Sequence, residues 1–225
     1  DNGDGTITVP AGVTGFTVSY PTSNDTILEN NETTELTIDG VVGTGTIKDA
    51  LDAIPVVSIE ATTDTAIEGD AQSIFFTVTQ TGATDLDSTV TATLNLGDLS
   101  ADDIESITFT DATGSQTISV AAALAGVSVT IPAGSTVLPT FSILPNDDAI
   151  YEVSEDFSMS ISNPVNATLG TATDSATVFD EDQAVNTDNP NNPNDVDDAF
   201  DGDKPTLTVG NASATEGDNL VHQVT

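Results

Sequence analysis

The chain has 225 residues, with two Lys against 37 Asp plus Glu, a formal net charge of −35, a single His and no Cys. Two cations cannot neutralise a phosphate backbone or hold an anionic lipid surface, so nucleic-acid binding and attachment to such a surface are excluded. Disulfides, thiolate metal sites and cysteine nucleophiles are excluded too, and no apolar run reaches the length of a membrane-spanning helix.

High net charge with few aromatics is the composition of disordered chains, but the patterning here is that of strands. In chain order, ITV (7–9), FTVSY (16–20), ELTI (35–38), VVSI (56–59), IFFTVT (74–79) and VTATLNL (90–96) alternate β-branched or aromatic with polar residues. ITFT (107–110), VSVTIP (127–132), FSIL (141–144), FSMSI (157–161) and TLTV (206–209) do the same. Each lies between clusters of Gly, Asp, Asn, Ser or Pro, the period-2 signal at all-β spacing. VAAALAG (120–126) is the only helical candidate, and it is short. A chain this acidic is also expected to need cations to fold well.

Internal similarity sets the organisation. TVPAG (8–12) recurs as TIPAG (130–134), and SNDTILENNETTEL (23–36) as NDDAIYEVSEDFSM (146–159). That alignment matches Asp25 with Asp148, Glu29 with Glu152 and Glu32 with Glu155. The closing GTGTIKD (43–49) corresponds to the strand ending ATVFDED (176–182), and AIEGD (66–70) recurs as ATEGD (214–218). Residues 1–49 therefore read as the C-terminal half of one repeat and 55–182 as a complete repeat. Residues 183–204 read as an acidic Asn/Asp/Pro linker, and 205–225 as the N-terminal strands of the next repeat. Residue 1 falls mid-pattern, so the chain is expected to be a piece of a longer tandem array, or else one copy's C-terminal strands complete the next copy's N-terminal half.

The acids gather at strand ends. Glu68 and Asp70 follow the opening strand of the complete repeat, and Asp147, Asp148, Glu152 and Glu155 precede FSMSIS. Asp180, Glu181 and Asp182 follow the closing strand. First and last strands of a Greek-key sandwich run parallel as neighbours, so these loops are expected to converge at one pole. Crowded carboxylates repel, and a divalent cation turns that repulsion into attraction. Without Cys, and with His222 alone, the donor set suits calcium, which takes six to eight oxygens in irregular geometry. The linker acids, Asp197 and Asp201 among them, are read equally as cation ligands or as solvated charge. DNGDG (1–5) is read as a turn, and the pair Asp102 and Asp103 as solvated surface acids.

NDDAIYEVSEDFSMSISN followed by ATVFDED resembles the Calx-beta domain, a calcium-sensing module of sodium–calcium exchangers that also occurs in bacterial surface proteins. The resemblance covers about residues 55–182, and TVPAG, GTGTIKD and ATEGD look like tandem repeats of large RTX-type adhesins exported by bacterial type I secretion. It implies an all-β fold of tandem Ig-like, Calx-beta-like Greek-key β-sandwiches joined by acidic linkers. It also implies calcium ligands at Glu68, Asp147, Asp148, Glu152, Asp180 and Asp182, with Asp85 or Asp87 adding another, and weaker counterparts at Asp25, Glu29 and Asp49. Residues 97–126 exceed the family's usual middle section, which implies extra strands or a lateral loop.

The functional expectation is a calcium-stiffened structural repeat of a long extracellular adhesin or matrix fibre, on a bacterial surface or in its matrix. Its partners would be neighbouring repeats or copies of itself. The alternative is a module binding sugar, ice or protein through Thr-rich strand faces, although exposed Thr is ordinary on strands. Catalysis is not expected. Carboxylate pairs are unavoidable among 37 acids, no Trp is present to stack a sugar, and His222 has no nucleophile set around it.

Overall fold

The computed structural model describes residues 2–49, 52–148, 150, 152, 154–180 and 207–225. The chain forms two units, residues 1–26 with 30–52, and residues 27–29 with 53–225.

In the first unit, β1 (Glu32–Ile38) and β2 (Val41–Ile47) form an antiparallel hairpin. Asp39 and Gly40 turn it with φ of 49° and 77°, the two-residue type I′ geometry that Asp-Gly adopts at low cost. ITV and FTVSY, expected as strands, take no strand pairing among the described residues. Their alternation is intact, but a strand persists only against a partner, and Ile7, Val9, Val18 and Tyr20 stay exposed. Within DNGDG, residues 3–5 bend, with Asp4 Oδ1 accepting from the Thr6 amide at 3.0 Å and from its hydroxyl at 2.6 Å.

The second unit holds the sandwich. It runs β3 (Val56–Thr63), β4 (Thr65–Ile67), β5 (Ile74–Thr81), β6 (Ser88–Asn95), β7 (Ile104–Asp111) and β8 (Gly114–Ile118). It continues through α1 (Val120–Ala125), β9 (Val127–Ile131), β10 (Thr140–Pro145), β11 (Glu155–Val165), β12 (Thr168–Leu169) and β13 (Thr173–Phe179). One sheet has the order β12-β3-β5-β10-β7-β8 and the other β4-β13-β11-β6-β9. This is the all-β sandwich that the alternation implied. The long middle section resolves into the extra strand β8 and the helix α1. Ser119 starts that helix by accepting from the Ala122 amide, and Gly126 ends it at φ 102°.

Alternation decides what is buried. In β6 every second side chain, Ser88, Val90, Ala92 and Leu94, points inward. Phe76 on one sheet meets Phe157 on the other edge-to-face at 5.7 Å, and Phe109 stacks beside its ladder partner Phe141 at 4.7 Å. Ile59, Ile74, Ile143 and Met159 fill the space between, all fully buried. These contacts hold the two sheets in register and fix where their loops emerge.

The loops emerge at two poles. At one, β4, β6, β10 and β13 end while β5, β7 and β11 begin. At the other, the β5–β6 loop carries Thr84, which bridges Leu28 and whose hydroxyl donates to the Leu28 carbonyl at 3.2 Å. Near the C-terminus, Val209 and Val224 form an antiparallel bridge, flanked by Thr208 and Thr225, which exchange two backbone hydrogen bonds.

Candidate metal centre

β4 pairs in parallel with β13, Ile67 opposite Phe179. The Glu68 amide extends the pairing by donating to the Phe179 carbonyl at 2.9 Å. Glu68 and Asp180 therefore leave the sheet side by side. β11 runs antiparallel to β13 with Glu155 opposite Val178, which brings Glu155 to the same end. The chain before it is drawn in by Asp180, whose Oδ2 accepts from the Glu152 amide at 2.5 Å. Asp148 turns that segment, with Oδ1 accepting from the Ile150 amide at 2.7 Å.

β7 and β10 bring a fourth contribution. Pro145 pairs with Ile104, and the Asn146 amide donates to the Asp103 carbonyl at 2.8 Å. Asp103 is held by the Ser100 amide at 2.5 Å and the Ser100 hydroxyl at 2.9 Å. It is buried, not solvated as the pair Asp102 and Asp103 had suggested. Gly97 positions the neighbouring loop at φ 63°, and a Cβ there would collide with the Asp156 carbonyl oxygen. Asp147 packs its carboxylate 3.3 Å from the place a Cβ would take on Gly69.

Glu68, Glu152 and Glu155 each offer an oxygen within 4.8 Å of the others. Glu68 is only 4 % exposed. Burial, then the charges of Glu152, Asp180, Asp148 and Asp103, push its pKa up to about 8. Burial followed by Asp103, Glu152 and Asp98 lifts Glu155 to about 7, and Glu152 is raised by burial and by Asp103, Asp148 and Asp180. A buried acid crowded by like charges is a charge set that a counter-ion would relieve. The donors are carboxylate oxygens. Two oxygens on one calcium, each at roughly 2.3–2.6 Å, lie no more than about 5 Å apart, so the spacing fits a single such ion. His222, the single histidine, is engaged elsewhere, with Nδ1 2.9 Å from the Gly210 carbonyl oxygen.

Of the residues singled out in the sequence, the structure gathers Glu68, Asp148, Glu152 and Asp180, with Asp147 beside them. Asp70 sits at the same pole but is exposed, and it is not one of the charges acting on Glu68. Asp85 and Asp87 lie at the opposite pole, where the Asp85 amide donates to Leu28 and Asp87 accepts from the Ala133 amide. Glu29 adjoins Leu28 and falls with that pole also. Asp25 and Asp49 meet in the first unit, where burial and then the Asp49 carboxylate and the Asp25 charge raise Asp52. Asp182, Asp197 and Asp201 lie outside the described residues. Asp103 and Asp98 were missed because nothing local marks them. Only the pairing of β7 with β10 and the turn at Gly97 carry them to the pole.

No family model and no curated protein matches the chain. Among solved structures, an apo-form Calx CBD1 domain is similar at 16 % identity and a TM-score of 0.40, over 56 % of this chain and 97 % of that one. The calcium binding domain CBD12 of CALX1.1 is similar at 19 % and 0.42, over 56 % of this chain and 46 % of that one. The N-terminal domain of PorA is similar at 12 % and 0.29, over 56 % and 96 %. At TM-scores this low the likeness does not bear on function. Among the described residues, no helix is long and apolar enough to cross a membrane.

Proposed function

We propose that the sandwich is a calcium-binding structural module of an extracellular adhesin or matrix fibre, non-catalytic, whose bound cation locks the loops of one pole. The observation that carries this reading is Glu68, buried where the acids of five strand ends meet and crowded by their charges. Without a cation, each added negative charge at this pole works against the fold. With one, Glu68, Glu152 and Glu155 hold it directly, Asp180 fixes the Glu152 backbone, and Asp103 ties in the β6–β7 loop. The net charge of −35 suits a protein working in a medium rich in salt and divalent ions. The role is mechanical: neighbouring modules are held apart at defined spacing, and the partners are further copies of the same kind of module.

Thermal unfolding followed by circular dichroism, in chelator and then in millimolar calcium with magnesium as control, tests the reading. A ligand that binds only the folded state stabilises it by about 2.7 kcal/mol at a hundred times its dissociation constant. A melting point that climbs in calcium and much less in magnesium is expected. An identical melt in all three conditions overturns the calcium assignment.

A further inference from the structure

Two adjacent rows of side chains cross the outer face of the six-stranded sheet from β3 to β8, at about 4.8 Å per strand and about 19 Å in all. In the first row Thr63 pairs with Phe75, Phe75 with Ser142, Ser142 with Thr108, and Thr108 with Thr117. In the second, the hydroxyls of Thr77 and Thr140 stand 3.4 Å apart, and those of Thr110 and Ser115 2.8 Å apart. Glu60, opposite Thr77, is the only acid in these rows, in a chain that holds 37 Asp plus Glu.

Phe75 stands apart from both the core and its neighbours. Phe76, Phe109, Phe141 and Phe157 are at most 2 % exposed, whereas Phe75 is 38 % exposed on the outside of the same sheet. β3 bulges directly beside it, between Ala61 and Thr63, and the hydroxyl of the extra residue, Thr62, donates to the Phe75 carbonyl at 3.3 Å. A bulge re-aims the side chains around it, and here it frames an aromatic ring. The ring forms an apolar platform with hydroxyls on the strands to either side. A sugar fits such a surface, with its C–H bonds against the ring and its hydroxyls on those of Thr and Ser.

We infer that this face binds a neutral, β-linked polysaccharide, laid across the strands with one sugar ring stacked on Phe75. Charge decides among the occupants. A net charge of −35 repels a second copy and any acidic glycan, and the two rows hold no cation to offset that repulsion. A cationic partner finds its counter-charges at the acidic pole, not on rows with one carboxylate. A neutral glycan meets neither obstacle. A planar crystal such as ice needs flat rows, which the twist of a sheet denies, whereas a glycan chain follows the twist. β-Linked sugars with equatorial substituents present C–H bonds on both ring faces, as stacking on Phe75 requires. One platform on an open face binds weakly, and repeated modules add avidity. The inference goes beyond the calcium reading, because none of the ligand carboxylates takes part.

Electrophoresis of the full chain, in calcium, through native gels containing a soluble neutral β-glucan, β-mannan or β-xylan tests this, with alginate as the anionic control. At least one neutral glycan is expected to retard the chain, and alginate is not. Phe75→Ala and Phe75→Leu are each expected to weaken retardation about tenfold, with the melting point and its calcium shift retained. Leu keeps the apolar bulk, so its loss of binding reports the ring itself. Ser175→Ala, exposed on β13 of the other sheet, is expected to bind as the parent does. Mobility unchanged by all three neutral glycans, retardation by alginate alone, or retardation untouched in Phe75→Leu overturns the inference. So does a mass that rises with concentration and falls back in Phe75→Leu, which would make the face a contact between copies. The calcium shift does not depend on Phe75, so its absence strikes the function proposed above and leaves this face to be judged on mobility.

Discussion

Replacing Glu68 by Gln removes a charge and almost no volume, and its effect should change sign with calcium. An unfolded Glu titrates near 4.5 and the folded Glu68 near 8. A carboxyl whose folded pKa is the higher one favours the fold in its protonated form. That stability is fully present below 4.5 and is lost as pH rises toward 8. At pH 7 the unfolded chain gains from ionisation what the fold cannot, a difference of about 3 kcal/mol at most against the calcium-free protein. Glu68→Gln lifts that load. At about 2–4 °C per kcal/mol, the variant should melt about 10 °C above the parent in chelator at pH 7. In millimolar calcium the order should reverse, because the variant loses a ligand oxygen's charge and with it the gain of roughly 3–4 kcal/mol open to a site well above its dissociation constant. Melting curves of both proteins in both buffers provide the four numbers needed. A variant less stable than the parent in chelator as well as in calcium refutes the account of Glu68 as a frustrated buried charge.

The parent in chelator should lose stability steadily from pH 5 to pH 8, since Glu152 and Glu155 are raised in the same direction as Glu68; calcium should flatten that slope, and a flat slope in chelator counts against the cluster. Asp103→Asn should weaken calcium binding by about tenfold or more in calorimetric titration, and Asp102→Asn should leave it unchanged, because Asp103, unlike Asp102, is buried and adds its charge to those of Glu68, Glu152 and Glu155. Gly97→Ala should cost about 2–4 kcal/mol in denaturant unfolding, as its Cβ collides with the Asp156 carbonyl in a backbone conformation that already disfavours a side chain. Phe141→Ala should cost about 3–5 kcal/mol by the cavity it leaves against Phe109, with the calcium response retained.

Much of the fold could be read from alternation, because a two-sheet core demands that every second residue be apolar. FSMSI and VTATLNL became β11 and β6, and Ala176 and Val178 face inward on β13. The convergence of Glu68 with Asp180 was also legible, since it follows from the parallel neighbourhood of first and last strands. What could not be read was register over long range. Asp103 looks like its exposed neighbour Asp102 until Pro145 is seen to pair with Ile104. ITV and FTVSY carry the same alternation as buried strands, yet pattern does not supply a partner, and they remain unpaired among the described residues. Glu29 aligns with Glu152, but Leu28 beside it is bound to Thr84 at the other pole.

The parallel pairing of β4 with β13 also decides how the module answers tension. Its chain enters at one pole, where Val56 opposes Thr81, and leaves at the other after Phe179. A pull on those two ends draws β4 and β13 past each other along their length. The bonds from the Glu68 amide to Phe179 and from the Thr177 amide to Asp64 are then sheared together rather than unzipped one at a time. The carboxylates that would grip a cation stand at the end of that same seam. A bound ion would clamp the strands where the load is greatest, so the force needed to open the module would follow the cation concentration of its surroundings.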